Sequence, residues 1–279
     1  MSEEKNRIIK EIDPDEYRDM KMKEKSEVFD MLSGSTQSLM KAEDLLQYLD
    51  LQSRFMHLSV SNVLLIKAQR PEAVWVRTFD EWKQDNISLL KGETGILSLE
   101  TAYFQKRDGS MGRSTKVTRL FDISQTTAKD RQISAPAFRN AAEYIAAASE
   151  IPVEKSDRVA EELDAVTNDG KIFVREDLTA EQAFFVTARE IACMQLTADE
   201  SARREDILPY AECTAYVLAK RYSLPCERPD TDRLIEHFTG MEEKDVRREL
   251  GAMKQTAANM EHRMLEARQK DRDARKEER

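Results

Sequence analysis

Cysteine and histidine are scarce in this chain, with three of each among its 279 residues. The cysteines all fall in the C-terminal part, at Cys193, Cys213 and Cys226. Their odd number argues against a disulfide framework and is typical of reduced thiols in a cytosol. The histidines are dispersed along the chain, at His57, His237 and His262. This dispersal disfavours a histidine-rich metal site.

Long apolar runs are also missing. No stretch approaches the ~20 consecutive apolar residues that a membrane span needs, and the N-terminus lacks the pattern of a secretory signal peptide. We therefore expect a cytoplasmic protein that does not contact a membrane. Hydrophobic residues nevertheless make up 40% of the chain. This fraction suffices for the core of one large domain or two moderate ones.

An excess of positive charge is absent as well, since the net charge is -9. The acidic excess is uneven, because residues 40–130 contain thirteen basic and twelve acidic side chains. Any binding of nucleic acid by this middle segment would depend on a local groove and on base stacking rather than on bulk charge.

A helical stretch at 181–196 carries the most informative motif. Its apolar residues recur at spacings of three and four and so share one helix face, at Phe185, Ala188, Ala192 and Leu196. Arg189 and Cys193 lie one turn apart on a different face, with Glu190 beside Arg189. A zinc metallopeptidase helix has His-Glu-x-x-His in this frame, where two imidazoles hold the metal and the glutamate acts as base. This chain keeps the glutamate and replaces both imidazoles.

The segment 39–127 predicts a compact α+β domain with a small antiparallel sheet. Helices are expected before Pro71, and a short strand-like run follows at 73–76. Asp108-Gly109-Ser110 indicates a hairpin between two further strands. Residues 1–38 are charged and are predicted to form a helical lead-in to this domain.

Several short motifs in this segment occur together in one order. They are Arg54-Phe55, Ser59-x-Ser61-Asn62-x-x-Leu65-Ile66-x-x-Gln69-x-Pro71, Phe79-x-x-Trp82, Lys91-Gly92-x-x-Gly95-Ile96 and Phe121-Asp122-Ile123-Ser124-Gln125-Thr126. In this order they resemble the N-terminal domain of ArdC-type antirestriction proteins, which occur on plasmids and conjugative elements. The resemblance implies a domain that binds single-stranded DNA.

The candidate DNA contacts are aromatic rings for stacking, cations for phosphates and amides for hydrogen bonds. They are Arg54, Asn62, Lys67, Gln69, Arg70, Trp75, Arg77, Trp82, Lys83, Lys91, Arg113, Lys116 and Arg119. Tyr103 is a further stacking face. An alternative stays open, in which Trp75 and Trp82 are core residues while Asn62 and Gln69 only tie a helix to a loop.

A polar linker at 127–136 precedes the second predicted domain, which covers 135–227. A helix at 137–149 is followed by a turn at Asn168-Asp169-Gly170 and a strand at 171–174. Thr179 and Gln182 have the spacing of a capping box at the start of the helix that carries Arg189.

A second helix, predicted at 206–222, completes this domain and carries Glu212. The order of elements resembles the zincin-like domain of ArdC-type proteins and of related intracellular metallopeptidases. In that family the second helix supplies a third, acidic ligand, and Glu212 matches its position. The resemblance therefore identifies a degenerate site made of Arg189, Glu190, Cys193 and Glu212.

The degenerate site predicts a catalytically inactive domain, a pseudo-metallopeptidase without a metal or other cofactor. Removing a divalent cation would leave Glu190 and Glu212 facing each other in an apolar setting, which is costly. We expect Arg189 to pair with Glu212, together with Glu190. Two alternatives remain: Arg189 points to solvent, or Cys193 and the two glutamates still recruit a metal and leave a residual metal-dependent peptidase. A cysteine nucleophile is disfavoured because neither helix carries a histidine.

The last segment, 228–279, predicts a long helix and a charged tail. Apolar residues alternate at spacings of four and three, at Val246, Leu250, Met253, Ala257, Met260 and Met264. This stripe predicts either packing on the protein's own body or self-association through the 246–264 helix. From Arg268 onward we expect a frayed charged tail.

Together these features predict an α+β protein with a helix-rich first domain, a zincin-like second domain and a C-terminal helix. By resemblance it is encoded by a mobile element or phage, binds single-stranded DNA and protects incoming DNA from a host restriction or other defence nuclease. The main alternative is a protein that inhibits a host nuclease by direct binding, without DNA, through its acidic surface.

Overall fold

The computed structural model describes residues 13–106, 108–131, 141–160, 163–197 and 203–277. These residues form two compact units. The first contains the described residues up to Gln37 together with Leu64–Arg131, and the second contains Ser38–Val63 together with the described residues after Arg131. Both units combine helices with a small three-stranded sheet, so the predicted α+β class is confirmed.

The first unit is built around an antiparallel sheet. Its elements are α1 (Pro14–Ser38), α3 (Val60–Gln69), β1 (Val76–Thr78), α4 (Phe79–Gln84), β2 (Ile96–Gln105) and β3 (Met111–Asp122). The unit boundaries fall within α1 and α3, so each of these helices has residues in both units. The strand order is β1-β3-β2. Strand β3 pairs with β2 along its length, from Ile96 opposite Leu120 to Gln105 opposite Met111, but with β1 only at residues 120–122.

The second unit surrounds a mixed sheet with helices. Its elements are α2 (Ala42–Arg54), α5 (Ala141–Tyr144), β4 (Val153–Ser156), β5 (Ala165–Asn168), β6 (Lys171–Arg175), α6 (Ala180–Leu196), α7 (Arg204–Arg221), α8 (Thr231–Phe238) and α9 (Glu243–Glu277). Strand β6 is central, parallel to β4 and antiparallel to β5. The β5–β6 turn places Asp169 and Gly170 at positive φ, as the predicted Asn-Asp-Gly turn requires.

The unit boundaries differ from the predicted domain boundaries, which placed residues 39–63 with the first sheet. Helix α2 instead packs on α7 in the second unit. The Tyr216 hydroxyl donates to Asp50 Oδ1 at 2.8 Å, and the Arg221 guanidinium donates to the Arg54 carbonyl at 3.2 Å. These contacts join residues far apart in sequence, so local pattern alone does not reveal them.

Helix α9 packs its apolar stripe onto the second unit of the same chain. All six stripe residues are between 0% and 3% exposed, at Val246, Leu250, Met253, Ala257, Met260 and Met264. The packing alternative therefore holds, and the stripe is not available for self-association. The expectation of a frayed tail from Arg268 is also wrong, because α9 continues to Glu277 and the Tyr144 hydroxyl donates to Asp271 at 2.6 Å. None of the described helices has the length and apolar character needed to span a bilayer.

We predict that Leu250→Ala lowers the free energy of unfolding by about 2–5 kcal/mol, because the deletion leaves a cavity in the contact between α9 and the body. Leu265→Ala on the same helix is the matched control, since Leu265 is 43% exposed whereas Leu250 is 1% exposed. Urea unfolding monitored by circular dichroism gives both values. Equal, small effects of the two substitutions would show that α9 is not packed as described.

Candidate functional site

Helix α6 positions Arg189, Glu190 and Cys193, the residues that the sequence predicts to be a degenerate metallopeptidase frame. It begins with the predicted capping box: the Thr179 side chain accepts from the Gln182 amide, and the Gln182 side chain accepts from the Thr179 amide. Because the start of the helix is fixed in this way, Glu190 and Cys193 both face the interior, where they are 0% and 6% exposed.

Glu190 is a fully buried carboxylate that receives three hydrogen bonds. Arg204, at the start of α7, donates to Oε1 at 2.6 Å, and Arg189 donates to the same oxygen at 3.4 Å. The Thr167 hydroxyl on β5 donates to Oε2 at 3.1 Å. The carboxylate is thus neutralised by a guanidinium that the sequence analysis did not identify, and bonding to Glu190 raises the pKa of Arg204.

Arg189 does not form the predicted pair with Glu212. Its guanidinium donates to the Leu163 carbonyl at 3.0 Å and to Glu190, and no hydrogen bond or ion pair joins it to Glu212 in the described structure. The alternative of a solvent-facing Arg189 is also wrong, since its side chain is only 15% exposed. The prediction failed because the Arg189 guanidinium is bound by the Leu163 carbonyl and by Glu190 instead of Glu212.

Glu212 lies half-buried on α7 and has no ion-pair partner among the described residues. Burial raises the pKa of its carboxyl group, and the nearby positive charges of Arg189 and Arg233 oppose that rise. Glu212 is therefore near the degenerate frame but is not locked into it as Glu190 is.

The thiols of this region are poor nucleophiles. Burial raises the pKa of Cys193 to about 11, and Glu190 acts in the same direction while Arg204 opposes it. Burial raises the pKa of Cys213 as well. Since the thiolate is the reactive form, both cysteines behave as inert buried side chains at neutral pH.

The residues of the frame do not fit a divalent metal. Glu190 has its oxygens engaged by Arg204, Arg189 and Thr167, and a guanidinium beside it repels a cation. No group of three or more histidine, cysteine, aspartate and glutamate side chains within the described ranges could hold a metal ion.

Several candidate DNA contacts in the first unit are structural. Trp82 is 0% exposed and its indole N–H donates to the Phe121 carbonyl at 2.8 Å, so it is a core residue and offers no stacking face. Gln69 bonds both the amide and the carbonyl of Leu97, which ties α3 to β2. Lys67 is also buried. For Trp82 and Gln69 the structural alternative is therefore the correct one.

Other candidate cations are engaged in ion pairs. Arg77 pairs with Asp85 and lies 4.5 Å over the ring of Trp75, which is half-buried against Trp82. Arg119 pairs with Glu24 at 2.6 Å, and Arg70 lies 3.7 Å from Glu93 and donates to Ser124. Arg54 and Asn62 belong to the second unit.

The remaining cations are exposed and have no ion-pair partner in the described part of the chain: Lys83, Lys91, Arg113 and Lys116. Two of them, Arg113 and Lys116, lie on the β2–β3 hairpin. They are three residues apart on β3, so their side chains are on opposite faces, opposite Tyr103 and Glu100 respectively. Tyr103 is 70% exposed and lies directly across from Arg113. We call the residues Tyr103, Phe104, Met111 and Arg113 the hairpin tip.

Phe104 and Met111 were missed by the sequence analysis as exposed residues of the hairpin tip. They are 48% and 65% exposed. Gly112 is the sequence feature that could have indicated the position of the Phe104 ring. A Cβ atom added at Gly112 would lie 2.5 Å from that ring, so only glycine fits there. A glycine opposite an aromatic residue in a two-stranded ribbon lets the ring lie across the partner strand.

The motif Phe121-Asp122-Ile123-Ser124-Gln125-Thr126 is also structural. Asp122 Oδ1 accepts from the amides of Val74 and Trp75, and its other oxygen accepts from the Ser124 amide. Gln125 is fully buried and donates to the Thr94 carbonyl at 2.8 Å. The motif thus fixes the loops at the end of the sheet.

Comparison with known proteins identifies the fold. No family model matches the chain, and no curated protein matches it by sequence. The crystal structure of the antirestriction ArdC protein from plasmid R388 in its metal-free form is 14% identical, with a TM-score of 0.51 over 75% of this chain and 84% of that chain. This chain has the ArdC fold. The predicted resemblance is thereby confirmed at the level of the fold.

The same ArdC protein has also been crystallised with bound Mn(II). That structure is 14% identical, with a TM-score of 0.50 over 74% of this chain and 83% of that chain. The ArdC fold is therefore compatible with a bound metal. In this chain the Arg204–Glu190 pair and Arg189 make the residues of the frame unsuited to one.

We predict that Arg204→Ala destabilises the protein by about 3 kcal/mol, the lower part of the range for breaking a buried pair, because Arg204 is 46% exposed. Adding Glu190→Gln to Arg204→Ala should recover most of the loss, since the uncompensated charge is then removed. Arg203→Ala, which breaks an exposed pair with Asp206, is the control and should leave the melting temperature unchanged. An unchanged melting temperature for Arg204→Ala would show that Glu190 is neutralised in another way.

Proposed function

We propose that this chain is an ArdC-like antirestriction protein encoded by a mobile genetic element or phage. In this proposal it binds single-stranded DNA and protects incoming DNA from host defence during conjugation or infection. The first unit makes the DNA contact, and the second unit is a zincin-like pseudoenzyme that serves as a scaffold in the cytoplasm.

The observation that carries the DNA-binding part is the hairpin tip. Tyr103 and Arg113 face the same side of the hairpin as a cross-strand pair, and Tyr103 is 70% exposed. Residues 96–122 contain five basic and three acidic side chains, although the whole chain has a net charge of -9. An exposed ring next to a guanidinium suits a base stacked beside its phosphate.

The proposal that the second unit is not catalytic rests on the buried carboxylate of Glu190. A general base must be able to take a proton from water or substrate, and Glu190 is 0% exposed with both oxygens bonded inside the protein. The second unit would then contribute stability and surface rather than chemistry.

A protein-binding inhibitor of a host nuclease is the second candidate. It is favoured by the acidic composition, with a pI of about 5.2, because an acidic surface is complementary to the basic groove of a nuclease. In that case DNA binding would be absent and the hairpin tip would have no effect on activity.

We predict that a fluorescein-labelled single strand binds the protein with an affinity that falls as salt rises, measured by fluorescence anisotropy. Tyr103→Ala should weaken binding by about 1–3 kcal/mol, the value of one stacked base. Arg113→Ala should weaken binding and reduce the salt dependence.

Phe79→Ala is the control for this titration, since Phe79 is an aromatic residue of the first unit that is 44% exposed and lies outside the hairpin. Its affinity should equal that of the unsubstituted protein. A flat titration, together with retention of a host nuclease on the immobilised protein, would favour the inhibitor and reject the DNA-binding proposal.

We predict that Mn(II) and Zn(II) produce no binding isotherm with the unsubstituted protein in calorimetric titrations. The double substitution Arg189→His and Cys193→His should gain affinity, because it restores two imidazoles one helical turn apart. Stoichiometric binding by the unsubstituted protein that is lost in Cys193→Ala would instead support the residual metal-dependent peptidase.

A further inference from the structure

An open groove of about 720 Å³ lies beside the degenerate frame in the second unit. One wall is Leu178 together with the α6 residues between Glu181 and Arg189, and the other is the irregular segment 225–230. Glu212 of α7 also lines the groove. We call this feature the α6 groove.

The shape of the α6 groove suits an extended chain. Its helical wall spans the nine residues from Glu181 to Arg189, which corresponds to a length of about 12 Å, or about four extended residues. The apolar lining of this wall is the half-buried Phe185 with the buried Leu178 and Val186, and the other wall contributes Pro225 and Pro229. Side chains of moderate size would be desolvated there.

The α6 groove has more negative than positive side chains once the residues that already form ion pairs are left out of the count. Its cations Arg175 and Arg189 both belong to such pairs. Arg175 is held by Asp164 at 3.0 Å and by Asp177 at 2.6 Å. Arg189 is committed to Glu190 and the Leu163 carbonyl.

Three carboxylates of the groove have no ion pair or hydrogen bond of their side chains among the described residues: Glu181, Glu212 and Glu227. Asp230 is used to cap α8, since it accepts from the Asp232 amide at 3.1 Å. The remaining cation, Arg228, is 73% exposed and lies 3.9 Å from Glu43. The groove therefore has an excess of unpaired negative charge on an apolar surface.

We propose that the α6 groove binds an extended basic segment of a partner protein, with an arginine or lysine side chain paired to Glu212. Charge complementarity selects this occupant, because a half-buried carboxylate without a partner is stabilised by an incoming cation. The inference is independent of DNA binding. Only the expectation that the segment is not cleaved rests on the proposed function.

The test uses the full chain and a fluorescein-labelled peptide, Ala-Leu-Arg-Leu-Ala, with blocked termini. Fluorescence anisotropy should show saturable binding at moderate salt. The same peptide with citrulline in place of arginine should bind about tenfold more weakly, because it retains the shape but loses the charge. Equal binding of the two peptides, or no binding of either, would overturn the proposal.

Glu212→Gln should weaken binding of the arginine peptide about tenfold and should not change binding of the citrulline peptide. Glu181→Gln, at a groove residue near the start of α6, is a second variant that should fold normally and weaken binding less. Glu236→Gln on α8 is the matched control, since it removes the same charge outside the groove. If Glu236→Gln weakens binding as much as Glu212→Gln, the attraction is non-specific and the proposal fails.

Mass spectrometry of the peptide after incubation separates this inference from the proposed function. Recovery of intact peptide supports both. Cleavage of the bound peptide would contradict the non-catalytic second unit while leaving the groove as the binding site. Loss of DNA binding with retained peptide binding would contradict only the role of the first unit.

Discussion

The buried carboxylate of Glu190 constrains how three elements of the second unit pack together. Transfer of an isolated carboxylate into a protein interior costs several kcal/mol, so its position is tolerable only with charge and hydrogen bonds supplied around it. Arg204 from α7, Arg189 from α6 and Thr167 from β5 supply them. Three separate elements are thereby held in one arrangement, and the residue that matches a catalytic base acts as a structural acceptor.

In the first unit, too, the residues of the motifs that resemble ArdC-type proteins have structural roles. Trp82 fills the core, Gln69 holds α3 against β2, and Asp122 and Gln125 fix the loops at one end of the sheet. Short motifs of this kind are therefore good evidence for the fold and weak evidence for the DNA-contacting residues. The DNA contacts of the proposed function are instead assigned to exposed side chains, of which Tyr103 and Arg113 form a cross-strand pair on the hairpin.

The local features of the chain could be predicted from its sequence, because each depends on residues a few positions apart. The Thr179–Gln182 capping box, the Asn168-Asp169-Gly170 turn and the α9 stripe all have this property. The same reasoning could not find Arg204, which lies fourteen residues from Glu190 and meets it only when α6 and α7 pack together.

The unexpected Arg204–Glu190 pair and the missing Arg189–Glu212 pair have the same physical reason. A sequence shows that a buried charge needs a partner but does not show which of several cations is nearest. Arg189 was the obvious partner for Glu212 because it occupied the position of a metal ligand. In the structure the fully buried carboxylate takes both guanidinium groups, and the half-buried Glu212 is left without one.

An acidic protein that binds DNA must keep its own negative charge away from the phosphates. Strand β1 pairs with β3 only at residues 120–122, so the ribbon from Leu99 to Gln105 and from Met111 to Val117 has just two strands in the described structure. This ribbon places Tyr103 and Arg113 four residues, or about 13 Å, from its base at Leu99 and Val117. That distance exceeds the Debye length of about 8 Å at physiological ionic strength, so in the proposed complex acidic groups at the base of the ribbon are largely screened from the DNA strand. The charge close to Tyr103 and Arg113, rather than the net charge of the chain, then decides whether a phosphate is attracted.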